Sequence, residues 1–77
     1  MTVTGLSARP LAAVALGDDF ARDIDLYVRR GGWLLDYDVA YDAVPICAFT
    51  GSPAATALTV KYVSGTGPSL ILLGIYE

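Results

Sequence analysis

The chain has 77 residues, enough for one domain, with a formal net charge of −3, no His and a single Cys, Cys47. One Cys excludes an internal disulfide or a cysteine metal knuckle, and the missing His removes the commonest general base and metal ligand. The acidic balance argues against nucleic acid, and no apolar run approaches the roughly 18 to 20 residues of a membrane span.

A domain this small buries only about 60% of its unfolded surface. The composition answers with 55% hydrophobic residues and a mean hydropathy of +0.53. Either the core is dense, or other subunits cover part of the surface. Charge is uneven: 10 of the 13 charged residues lie between Asp18 and Asp42, and Lys61 is the only one between Ala43 and Tyr76.

In chain order, "MTVTGLSARP" (1–10) alternates loosely and reads as an N-terminal arm or edge strand. "PLAAVALG" reads as a strand or short helix. It is not expected to be a signal peptide, so synthesis in the cytoplasm is expected. Gly17-Asp18-Asp19 signals a turn. Then Ile24, Leu26 and Val28 alternate with polar residues, and after Gly31-Gly32 Trp33, Leu35, Tyr37, Val39 and Tyr41 alternate with Leu34, Asp36, Asp38, Ala40 and Asp42. Period two on both sides of Gly-Gly predicts a β-hairpin with a type I′ turn.

A simple register sets Arg30 opposite Trp33, Val28 opposite Leu35, Leu26 opposite Tyr37 and Ile24 opposite Val39. Arg30 would lie over the Trp33 ring as a cation–π pair. The other face would hold Arg29 with Leu34, Tyr27 with Asp36, and Asp25 with Asp38. That last pair is a like-charge conflict.

Pro45 suits the start of a strand or an edge. "ICAFT" follows, with a turn at Gly51-Ser52-Pro53. "ATALTVKYV" alternates, and "SGTGPS" is a loop without the Lys of a phosphate-binding loop. "LILLGIY" is apolar without alternation, which implies a strand buried on both faces or covered by a partner.

The pattern predicts an all-β fold: one domain, 1–77, a small antiparallel β-sandwich or barrel with 1–10 as a candidate arm. Asp23, Asp25, Asp36 and Asp38 form the one candidate acidic face. A solvated surface is the plain reading. A contact for a basic partner comes second and a hard cation third, because the spacing fits no calcium loop. Cys47 reads as a buried small hydrophobe. Trp33, Tyr37, Tyr41, Leu70, Leu72, Ile75 and Tyr76 are the candidate interface residues.

The stretch "GDDFARDIDLYVRRGGWLLDYD" resembles small β-sandwich modules of tailed-phage virion proteins. Gly17, Asp18, Asp19 and Phe20 match the opening of that pattern. Ile24, Leu26 and Val28 match its strand. Gly31-Gly32 matches its turn, and Leu35-Asp36 matches its Leu-Asp step. The usual Thr-Gly after that step is replaced by Tyr37-Asp38.

The resemblance implies a non-enzymatic structural protein of a phage virion, such as a capsid decoration protein or a tail or baseplate component. It would be made in the host cytoplasm and act by assembling with other virion subunits as a homo-oligomer. No cofactor, metal, small-molecule substrate, nucleic acid or membrane partner is expected. The alternative is a small intracellular acidic protein that inhibits a host nucleic-acid enzyme.

Overall fold

In the computed structural model, which describes residues 1–17, 21–40, 43–65 and 71–77, the chain is a β-sandwich of two antiparallel sheets. The strands are β1 (Thr2–Val3), β2 (Pro10–Gly17), β3 (Ala21–Arg30), β4 (Trp33–Asp38), β5 (Ile46–Thr50), β6 (Thr56–Gly65) and β7 (Ile71–Tyr76). The first sheet has the order β1-β6-β3-β4 and the second β5-β2-β7.

Sequence pattern sorts the strands. β3, β4 and β6 carry polar residues between apolar ones, as a sheet with one wet face requires. β2, β5 and β7 are apolar at successive positions, and all three collect in the second sheet. "PLAAVALG" is therefore a strand, with Pro10 at its first position, where a missing N–H is tolerated.

The core lies between the sheets. Leu26, Val28 and Leu58 of the first sheet meet Leu11, Ala13, Cys47 and Phe49 of the second, all buried. A smaller cluster continues it around Ala15 and Ile24. The first residues of the arm lie on their own sheet. Thr2 and Val3 pair with Ala57 and Thr56, and Met1 exchanges main-chain bonds of 2.7 and 2.8 Å with Leu58. The arm then passes the end of β5, where the Gly51 N–H donates to the Arg9 carbonyl at 2.9 Å. A Cβ on Gly51 would overlap the Ser7 carbonyl oxygen, so only glycine permits this crossing.

The hairpin forms at Gly31-Gly32, whose φ values of 56° and 84° fit a type I′ turn. Its register departs from the simple one. Arg30 pairs with Trp33 and Arg29 with Leu34, but a bulge then leaves Leu35 unpaired. Val28 falls opposite Asp36, Tyr27 opposite Tyr37, and Leu26 opposite Asp38. One extra residue turns every later side chain of β4 to the other face. The Asp25–Asp38 conflict disappears, because the bulge moves Asp38 opposite Leu26; on its other side Asp25 lies opposite Lys61 of β6.

β4 also ends at Asp38, short of Val39. The Asp38 carboxylate accepts the Ala40 N–H at 3.1 Å, a local turn that competes with further pairing.

Candidate functional site

The four aspartates expected on one face sit in two places. Asp23 and Asp25 alternate with the core residues Ile24 and Leu26, so they lie on the outer face of the first sheet. Both are nevertheless buried. The Tyr27 hydroxyl donates to Asp25 Oδ2 at 3.4 Å, while Asp25 Oδ1 is buried without a hydrogen bond.

Asp36 and Asp38 lie on the other side, opposite Val28 and Leu26, at the corner where β4 runs beside β5. Asp36 Oδ2 accepts the Ala48 N–H at 2.8 Å, and Asp38 Oδ2 accepts the Ile46 N–H at 3.0 Å. Those two amides point away from β2, along what would be the bare edge of β5. Arg30 completes the arrangement: Nη1 donates to the Thr50 carbonyl at 3.1 Å, and Nε and Nη2 donate to Thr56 Oγ1 at 3.1 and 2.8 Å.

Arg30 therefore does not stack on Trp33. The cation–π contact found is Arg29 over Tyr27, 5.0 Å from the ring centroid. Side chains of one sheet thus supply the ladder partners that the edge of the other lacks. They latch the sandwich shut along the β4–β5 seam and blunt an exposed edge. These carboxylates are structural acceptors, and among the described residues no group of three or more potential metal ligands gathers.

Cys47 lies beneath the latch, fully buried, with its thiol directed at the Leu26 carbonyl at 3.6 Å. Burial, then the charges of Asp36 and Asp38, push its pKa up from 9.0 to about 11. The folded state thus favours the neutral thiol. That contribution is complete below pH 9 and is lost as pH rises from 9 to about 11. At pH 8 Cys47 should resist a maleimide in the native protein and react at once in denaturant. Fast native labelling would contradict its placement.

The opposite seam, between the arm and β7, is open. A cleft of ≈ 440 Å³ lies there, lined among others by Val3, Leu6, Leu73 and Ile75. Of the candidate interface residues, Trp33 is 77% exposed at the hairpin tip and Tyr37 is exposed on β4. Leu72 (60%) and Tyr76 (59%) are exposed on β7. Ile75 instead faces inward and packs against the core. Among the described residues β7 is an edge strand paired with β2, and the exposure of Leu72 and Tyr76 shows that within one chain it is not buried on both faces. Tyr41 and Leu70 lie outside the described residues.

A larger surface emerges only from the topology. By alternation, Pro10, Ala12, Val14 and Leu16 of β2 share the outer face of the second sheet with Ile46, Ala48 and Thr50 of β5 and Leu72, Gly74 and Tyr76 of β7. None of these ten residues is charged. At one end the face is rimmed by the exposed ion pair of Arg9 with Glu77, 2.9 Å long. An apolar centre with a charged rim is the anatomy of a protein interface. The signal was present in the three non-alternating runs, but only the strand order shows that they form one surface.

No protein-family model, curated protein or solved structure matches the chain. In structural terms it is an antiparallel β-sandwich latched along one seam and open along the other.

Proposed function

We propose that the protein is a non-enzymatic structural subunit that works by assembly, and that the particle it builds is a phage virion, as a capsid decoration protein or a tail or baseplate component. The observation that carries the assembly reading is the charge-free outer face of the second sheet. Strands apolar on both faces normally belong to sheets covered on both sides. This sheet has its own core on one side and solvent on the other. The virion reading rests on the resemblance carried by Gly17 to Asp36.

The competing reading, an acidic imitator of nucleic acid, needs its carboxylates on one accessible surface. Asp23 and Asp25 are buried, and Asp36 and Asp38 are bonded to β5.

The test is light scattering on the native chain and on Val14→Lys, which places a charge at the centre of the apolar face. Concentration-dependent growth into large assemblies is expected for the native chain and its loss for the variant. Identical behaviour of the two would remove the face from the mechanism. The virion assignment is checked by mass spectrometry of particles made by the genome that encodes the chain. Its absence from them while present in the lysate would sink that assignment.

Trp33 is the sole Trp, so intrinsic fluorescence reports on the hairpin tip. The dispersed chain should emit as a water-exposed indole. Trp33→Ala should change stability by less than about 0.5 kcal/mol, measured by urea denaturation, as for other exposed sites away from packing.

A further inference from the structure

Edges of the two sheets are treated differently. β5 is capped by Asp36, Asp38 and Arg30. The start of β6 is covered by β1, with Met1 bonded to Leu58. β4 carries two aspartates. β7 has neither a charge nor a proline from Ile71 to Tyr76, and no described residue pairs with its outer side. An apolar, uncapped edge is a template for another strand.

We propose that this edge is a homotypic docking edge: two copies pair their β7 strands antiparallel and fuse two three-stranded sheets into one of six strands. The proposal rests on the assembly reading above and names the partner as a second copy of the chain.

Main-chain geometry fixes which atoms take part. Ala15 N–H donates to Pro45 O at 3.2 Å and Gly17 N–H to Ala43 O at 2.8 Å, so odd-numbered residues of β2 turn their main-chain groups towards β5. Even-numbered residues turn theirs towards β7, where Leu16, Val14 and Ala12 lie opposite Leu72, Gly74 and Tyr76. In β7 it is therefore Ile71, Leu73 and Ile75 that direct N–H and C=O outwards.

A two-fold axis at Leu73 sets Ile71 opposite Ile75 of the second copy and gives about six main-chain hydrogen bonds. The same register sets the exposed Leu72 opposite Gly74 of the second copy. The Tyr76 ring roofs that glycine, since a Cβ there would come within 2.8 Å of the Tyr76 hydroxyl oxygen. Leu72 thus meets a bare backbone walled by an aromatic ring. Sliding the pair so that the two Gly74 residues face each other leaves both without a side chain to pack. No charge on either strand opposes the pairing.

Area supports a second copy over a flat stacking partner alone. Three strands about 4.8 Å apart and about six residues long present roughly 300 Å². A standard interface needs about 800 Å² per partner. Edge pairing joins two such faces into a continuous patch of roughly 600 Å², near the upper limit for an ordinary monomer surface. It also brings the inward Leu73 and Ile75 of the second copy to the mouth of the open cleft.

The experiment uses the native chain in a mixture of isotope-labelled and unlabelled copies. A contact between the Leu72 and Gly74 α-protons of different copies is expected, since a non-hydrogen-bonded pair holds its Cα atoms about 4.5 Å apart. Light scattering should give a dimer. Ile71→Pro removes one outward N–H at a strand position that accepts proline, and should weaken the dimer by about tenfold or more. Val14→Lys should keep the dimer and lose only larger assembly.

A dimer that lacks the α-proton contact and ignores Ile71→Pro would overturn the proposal, because the copies would meet elsewhere. A chain monomeric at every concentration would overturn it as well. The assembly reading would then be judged separately, by whether Val14→Lys fails to enter particles that accept the native chain.

Discussion

Replacing Asp36 and Asp38 together by Ala is expected to destabilise the chain by roughly 3 kcal/mol and to turn β5 into an aggregating edge. The three bonds at stake join backbone amides of Ile46, Ala48 and Ala40 to ionised acceptors. A hydrogen bond to a charged group contributes about 1.5–3 kcal/mol, and these exposed ones belong at the low end or below it. A domain of this size has about 4–12 kcal/mol in total at 0.05–0.15 kcal/mol per residue, so the loss is a large part of its stability. Asn at both positions keeps an acceptor and should cost about half as much. Urea denaturation gives the first quantity and thioflavin fluorescence on standing the second. An unchanged midpoint in the double Ala variant would mean that the latch is ornamental.

Leu26→Ala is expected to cost about 3–4 kcal/mol, within the range for buried leucine truncations that leave a cavity. Leu26 is fully buried at the centre of β3, its carbonyl faces the Cys47 thiol, and its neighbours across the ladders are Val60 and Asp38. Both sheets close on it, so neither can collapse alone to fill the space. Leu72→Ala, on the outer face, should change the stability of the dispersed chain by under about 0.5 kcal/mol. The ratio of the two effects in urea separates core from interface. Equal losses would mean that Leu72 is buried in the folded subunit.

The all-β class, the hairpin and its turn could be read from period two and from Gly31-Gly32, because both act over a few residues. The bulge could not. Leu34-Leu35 offers no local reason to break step, and the simple register looks better on paper because it pairs apolar with apolar. It loses because β5 needs acceptors for two amides, a demand set by a strand that follows eight to twelve residues later. That long-range demand also divided the acidic cluster. Similarly, only the run ending Ile71–Tyr76 announced a strand with two dry faces, while Pro10–Gly17 read equally as a short helix and Ile46–Thr50 as a short run after Pro45. That they share a sheet follows from strand order, which local sequence does not encode. Trp33 and Tyr37 were legible as aromatics for an interface, but Tyr37 reaches the surface only through the bulge, and the partner of Arg30 was not legible, since Thr50 and Thr56 lie far along the chain.

The unpaired Leu35 also defines how this protein can change length. Losing one residue from a strand normally inverts every side chain beyond the deletion. Here, removing Leu35 alone would leave Asp36 opposite Val28 and Asp38 opposite Leu26, and only the kink would go. Losing any neighbouring position instead would have to be absorbed by that same slack residue. The hairpin therefore holds a built-in allowance of one codon, and variants of this chain that differ in length should differ there first.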